Sequence, residues 1–166
     1  MNDELLLDDK PKATTSYKPI VPNNDTINQL VNMIMRDGKK IRAQKLVSDT
    51  AKQLLKKIGE KEDPYTVLAD AIETASPLVK IMNKKRHAKV IHVPKPLKDR
   101  QRHHQAIAWL LDAAKKRDET TFEQRFAAEI YEVITGTSSV LQKKQQVHKQ
   151  ALANRANAAV PYNTQR

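Results

Sequence analysis

The residues of this chain best equipped for chemistry are its cations. Residues 80–102 hold nine Lys or Arg against one acid, Asp99, in a chain of 166 residues with a formal net charge of +11. Each cation that meets a phosphate releases condensed counterion, so affinity for a polyanion grows with the number of contacts. The charge falls into five clusters. Arg36, Lys39, Lys40 and Arg42 lie between the first two helical patterns, and Lys84, Lys85 and Arg86 lie mid-chain. Lys95, Lys98, Arg100 and Arg102 come next, then Lys115, Lys116 and Arg117, and last Lys143, Lys144, Lys149 and Arg155. One such cluster is usually a solvated helix face. Five of them, set at loops and helix ends, point to nucleic acid. Aromatic residues make up only 4% of the chain, which disfavours base stacking as the main mode of readout. Contacts to phosphate, sugar and the shape of folded RNA suit this composition better.

Catalytic patterns are weak by comparison. His103 and His104 are neighbours and point different ways from a helix, so they cannot share a metal. Gly38-Lys39-Lys40 has neither the upstream glycine nor the following Ser or Thr of a phosphate loop, and a helix precedes it where a strand should. Acid pairs such as Asp118-Glu119 and Glu129-Glu132 read as a polar helix face. We expect no catalytic residue, no metal site, no cofactor and no small-molecule substrate. Cysteine is absent, which removes disulfides and thiolate ligands. No run of about 18 apolar residues exists to span a bilayer. A basic membrane-surface protein would need large apolar residues opposite a basic helix face; the second helix comes nearest, but its stripe is more simply core. The first ten residues hold four acids and one Lys, unlike a secretory signal or an Arg-rich transit peptide.

The elements that must position these cations can be read from periodicity. Residues 1–24, with Pro11, Pro19 and Pro22, read as an extended arm. A first helix starts with Asp25 as its cap, carries Ile27, Leu30, Val31 and Ile34 on one stripe, and ends at Gly38. A second carries Ala43, Leu46, Val47, Thr50, Ala51, Leu54, Leu55 and Ile58 and closes at Gly59. Asp63 caps a third, with Pro64 at its first position and Val67, Leu68, Ala71, Ile72 and Ala75 inward. Residues 78–94 read as a β-hairpin with Lys84-Lys85-Arg86 at its tip. Lacking glycine there, it predicts a longer, looser loop, with Pro94 and Pro96 ending the second strand. A fourth helix over 99–117 has a face broad enough for the centre of a bundle, built on Ile107, Leu110, Leu111 and Ala114 and widened by Trp109. Capping boxes at Thr120 and Ser139 open a fifth helix (Phe122, Phe126, Ala127, Ile130 and Ile134 inward) and a sixth (Leu141, Val147, Ala151 and Leu152). The predicted fold is mainly α: six helices in one RNA-binding domain over 25–158, one hairpin between helices three and four, and a tail over 159–166.

Several stretches, in order, resemble the small-subunit ribosomal protein seven family. The first runs Asn24-Asp25-Thr26-Ile27-Asn28-Gln29-Leu30-Val31, then Gly38-Lys39-Lys40, then Leu46-Val47-Ser48-Asp49-Thr50. Ser76-Pro77-Leu78-Val79, Val90-Ile91-His92-Val93-Pro94 and the helix from Trp109 to Arg117 follow. Phe126-Ala127-Ala128-Glu129 and the run from Val147 to Ala156 complete a match over roughly 24–158. The resemblance implies a place in the head of the small subunit, binding of the 3′ major domain of its rRNA, and initiation of head assembly. It implies neighbouring head and platform proteins, with exit-site tRNA and mRNA near the hairpin and last helix. By motif match, Arg36, Lys39, Lys40, Arg42, Arg100, Arg102, Lys115, Lys116 and Arg117 would hold RNA, as would Lys143, Lys144, His148, Asn154 and Arg155. The chain departs from the family at the hairpin tip, at Ala108, in its ending after Arg155 and in its acidic N-terminus. Those departures suggest a mitochondrial branch, with bacterial cytoplasm as the alternative. The competing reading is an extra-ribosomal RNA-binding regulator or assembly factor.

Overall fold

Helix ends in this chain are set by side-chain caps and by proline. The computed structural model describes residues 21–59 and 62–159; most of the expected arm (1–24) and tail (159–166) lies outside the described residues. Six helices appear in order: α1 (Asp25–Ile34), α2 (Lys40–Ile58), α3 (Pro64–Ala75), α4 (Asp99–Lys115), α5 (Phe122–Thr135) and α6 (Ser139–Ala153). Strands β1 (Val79–Arg86) and β2 (Lys89–Pro96) form the hairpin between α3 and α4, and a 3-10 helix, Arg155–Ala159, follows α6. The fold is mainly α, as the periodicity predicts.

Asp63 caps α3 by accepting from the Thr66 amide, with Pro64 at the first helical position. Gly59 and Gly136, at φ 92° and 80°, close α2 and α5; such φ values favour glycine. Other ends differ from expectation by one register. Asn24, not Asp25, caps α1, its Oδ1 accepting from the Thr26 amide at 2.9 Å. Thr121 and Ser138, not Thr120 and Ser139, cap α5 and α6. In each pair both side chains suit a cap, and the one chosen is the residue held in β-region backbone before the first helical turn. α1 stops at Ile34, ahead of Gly38, because the chain makes a turn in which Asp37 and Gly38 both take positive φ.

The core is built chiefly by α1 to α5, with Val21 ahead of α1 and Val140 of α6 completing it. Ile27 and Leu30, Val47 and Leu54, Leu68 and Ile72, Ile107 and Leu110, and Phe126 and Ile130 are fully buried. α4 touches α1, α3, α5 and α6, and α5 lies along α2 and α4. The central place expected for α4 is therefore its observed one. Two expected core residues turn outward: Ile134 is 46% exposed, its role taken by Val133, and Leu152 is 69% exposed.

The hairpin differs most from expectation. Strand pairing runs without interruption from Val79↔Pro96 to Arg86↔Lys89, so only His87 and Ala88 form the turn. His87 takes φ 54° without a glycine. That positive φ matches the twist of the strands, the property that favours primed turns in short hairpins. Pro94 lies inside β2 and does not end it. In a two-stranded ribbon every second N–H points away from the partner, so proline costs no ladder bond there. β1 packs on α6, and β2 on the 3-10 helix.

Candidate nucleic-acid interface

Strand alternation sorts the hairpin cations into faces. Cross-strand partners share a face, and Lys80 opposes Lys95, Lys84 opposes Ile91, and Arg86 opposes Lys89. One face therefore gathers Lys80, Lys84, Arg86, Lys89 and Lys95 around Met82 and Val93. Lys85 sits on the other face beside Val90. Like charges directly opposed across a ribbon destabilise it, and Arg86 with Lys89 is such a pair. Sequence reasoning missed Lys80 and Lys89; counting by twos along both strands is the signal that finds them.

A second group assembles from elements far apart in sequence. The turn after α1 and the start of α2 bring Arg36, Lys39 and Arg42 to the rim of a cleft of about 550 Å³. Lys115, from the end of α4, joins them, and so does Arg125 of α5. Met33, Met35, Leu46, Leu111 and Phe122 line its apolar part. Lys40 is exposed beside it. Arg125 was not foreseen, because its own stretch of sequence is acidic; its Nη1 donates to the Glu119 carbonyl at 3.0 Å. Lys98, Arg100 and Lys116 are exposed, as are Lys149 and Arg155 at the end of the chain's last helical stretch.

Other expected RNA contacts are engaged within the fold. Arg102 donates to Glu73 at 2.6 Å, to Asp99 at 3.0 Å and to the Ser76 hydroxyl at 3.0 Å, tying α4 to the end of α3. Arg117 spans three carboxylates: Glu132 at 2.8 Å, Glu129 at 3.0 Å and Glu119 at 3.3 Å. The hydrogen bond to Glu132 does most to hold its guanidinium protonated, against burial, with Glu129 adding to it. On α6, Lys143 sits 5.2 Å above the Trp109 ring. Lys144 donates to the Thr74 carbonyl at 2.6 Å, and burial, helped by repulsion from Arg102, pushes its pKa down. Asn154 donates to the Gln150 carbonyl.

His148 holds the base of the hairpin. Its Nε2 accepts from the Leu78 amide at 3.1 Å, just before β1. Asn157 donates to the His92 carbonyl at 3.0 Å, holding β2 to the 3-10 helix. The end of α3, the start of the hairpin, α4 and α6 thus meet at one polar junction. Glu73 sits at its centre, 2.6 Å from His103. The hydrogen bond from His103 does most to lower the Glu73 pKa, burial opposes it, and Arg102 adds to the lowering.

Burial, then repulsion from Lys144, lowers the His148 pKa from 6.5. Below that value the unfolded chain takes up the proton first, so stability falls as pH drops through the window between the unfolded and folded pKa values. Glu73 acts with the same sign at lower pH. We expect the urea midpoint to fall between about pH 7.5 and about pH 5.5. His148→Gln keeps an acceptor without the titration and should flatten that slope; an unaltered slope would assign it to other groups.

Among the described residues no group of three or more His, Asp or Glu is placed to hold a metal ion, and no helix is long and apolar enough to cross a membrane. Fold and site define a cationic helical domain with a packed hairpin, its exposed charge gathered at loops, strand faces and helix ends. A model of the family described as ribosomal protein S7p/S5e matches residues 8–155. Small ribosomal subunit protein uS7m of Schizosaccharomyces pombe is 39% identical over 137 residues, covering 82% of this chain and 52% of that protein. Small ribosomal subunit protein uS7 of Pelagibacter ubique is 32% identical over 149 residues, covering 90% and 94%. Its counterpart in Salinibacter ruber is 30% identical over 148 residues, covering 89% and 94%. The chain spans about half the length of the yeast relative and nearly all of the bacterial two. It belongs to the ribosomal protein S7p/S5e family, a family of structural and not catalytic proteins.

Proposed function

We propose that this chain is a structural constituent of the small ribosomal subunit, where it binds the 3′ major (head) domain of small-subunit rRNA and organises head assembly. Its hairpin is placed near the tRNA exit site and the mRNA path, and head and platform proteins are its neighbours. Its ribosome is mitochondrial, a reading supported by the relative of that branch at 39% identity; the bacterial relatives keep the bacterial cytoplasm as the alternative, and fractionation of the source cells separates the two. The observation that carries the RNA reading is the hairpin face. Arg86 opposes Lys89 on the face that also carries Lys80; like charges so opposed cost the free fold stability, a cost that an external polyanion relieves. The cleft rim of Arg36, Lys39 and Arg42, with Lys40, Arg100, Lys116, Lys149 and Arg155, extends the contact over loops and helix ends.

The test is binding to a head-domain rRNA fragment as a function of salt. With about six or more phosphate contacts, affinity should fall by a factor on the order of 10³ between 50 and 200 mM salt. A flat profile would sink the reading. The doubly substituted Lys80→Gln, Lys89→Gln chain should bind less tightly, with a salt slope smaller by about two. Its melting temperature should hold or rise, because Lys89 no longer opposes Arg86. Lower stability together with unchanged RNA affinity would reverse the assignment of that face.

A further inference from the structure

A two-stranded ribbon is marginal by itself, so the direction of the hairpin must be set by what it rests on. β1 packs chiefly on α6 and β2 chiefly on the 3-10 helix. The two seams are built differently. On β2, Val93 is buried and Asn157 donates to the His92 carbonyl at 3.0 Å. Just ahead of β1, Leu78 is 57% exposed, and α6 buries only Val140 and Ala151. There the Leu78 amide donates to His148 Nε2 at 3.1 Å. We infer that His148 is a proton-sensitive latch for the hairpin: its neutral ring holds the start of β1 to α6, and protonation frees the arm to swing about the β2 seam.

Acceptor chemistry supplies the switch. In the imidazolium both ring nitrogens are donors, so an N–H would face the Leu78 N–H. The Asn157 amide does not titrate, and acid therefore opens one seam and leaves the other. Lys144 stands one turn before His148 on α6, and Lys149 follows it. Arg102 and His103 of α4 bond to Glu73 of α3, and Asp99 pairs with Arg102. The hairpin and the 3-10 helix add Lys80 and Arg155. Burial first, then repulsion from Lys144, hold the His148 pKa below 6.5, so the latch is closed at neutral pH and opens in acid. Glu73, its pKa lowered chiefly by His103, stays ionised and keeps Arg102 in place.

The latch stands on these bonds and seams. Its effect on RNA rests on the proposed function: His148 is a positioning residue that aims the cationic hairpin face and does not itself touch phosphate.

Two nitroxides test this in the full chain, which has no native cysteine. One sits at the tip through Ala88→Cys and one on α2 through Lys45→Cys, both exposed sites. Without RNA, the distance distribution should be narrow at about pH 8 and broad at about pH 5, with helical circular dichroism retained. His148→Gln keeps an acceptor and should stay narrow at both; His148→Ala should be broad at both. A distribution that ignores pH in the otherwise unsubstituted chain overturns the proposal, as does equal broadening in His148→Gln or a narrow His148→Ala at the higher pH. Acid and alanine open the latch by separate routes, so loss of helix in one leaves the other to decide. At the higher pH His148→Ala should bind the head-domain rRNA fragment about fivefold less tightly, the factor of one ordinary hydrogen bond, and His148→Gln should restore it. A broad distribution with unchanged affinity upholds the latch and removes hairpin direction from RNA binding. Weakened affinity with a narrow distribution makes His148 a direct RNA contact and overturns the latch.

Discussion

Replacing Arg117 by methionine should destabilise the domain by about 3–5 kcal/mol, the usual cost of leaving a buried charge without its partner. The charge left behind is Glu129, whose side chain is 4% exposed and sits 3.0 Å from Arg117. Its other oxygen accepts from Ser138 at 2.6 Å, and Ser138 in turn caps α6 through the Val140 amide at 3.0 Å. Arg117 therefore holds the end of α4 to α5, and through Glu129 and Ser138 it sets where α6 begins. An exposed ion pair would contribute only about 0–1 kcal/mol, so the size of the loss separates the two cases. Adding Glu129→Gln to Arg117→Met should recover much of the loss, since the amide accepts from Ser138 without a charge to compensate. Urea denaturation of the two single variants and the double variant measures the coupling. A single-variant cost under about 1 kcal/mol, with RNA binding weakened, would show that Arg117 works outward and not inward.

Arg117 also shows what sequence can and cannot disclose. It ends a run of three cations after a helical pattern, and charge alone makes it a phosphate contact. Its partners Glu129 and Glu132 lie 12 and 15 residues on, separated from it by the turn that leads into α5. Arg102 is the same case at longer range, with Glu73 lying 29 residues away. A sequence displays how many cations a segment carries, but not which of them the fold has already engaged. Periodic features fared better. Ala43, Val47, Thr50, Ala51 and Leu54, read as the α2 stripe, are all buried, because a 3.6-residue repeat leaves only one face to bury. The tight turn at His87-Ala88 was hidden for a local reason. Residues other than glycine pay for positive φ, so propensity argued for a looser loop. Eight residues of β1 pairing in register with eight of β2 outweigh that cost. The gathering of Arg36, Lys39 and Arg42 with Lys115 in one cleft follows from α1 packing against α4, a contact that no local pattern reveals.

Trp109→Ala should cost about 3–5 kcal/mol, the range for deleting a large aromatic from a packed core. Trp109 is the chain's one tryptophan, 8% exposed, on the helix that touches four others. Its ring also supports the ammonium of Lys143 from α6. Lys143→Met removes the cation–π part, about 0.5–1 kcal/mol at an exposed site, and leaves the apolar packing of the stem. The two effects should therefore differ several-fold in urea denaturation. Trp109→Phe should fall between them, keeping an aromatic face under Lys143 while vacating part of the core. RNA affinity of the folded Trp109→Phe chain should stay close to that of the unsubstituted one, because the indole faces the core and Lys143. A Trp109→Ala chain of unchanged melting temperature whose RNA binding is lost would place the indole on the RNA surface and α4 away from the centre of the bundle. The same ring supplies an optical reporter. A phosphate that draws Lys143 off the indole face should alter Trp109 emission, and that change should be missing in Lys143→Met, where no ammonium is there to move.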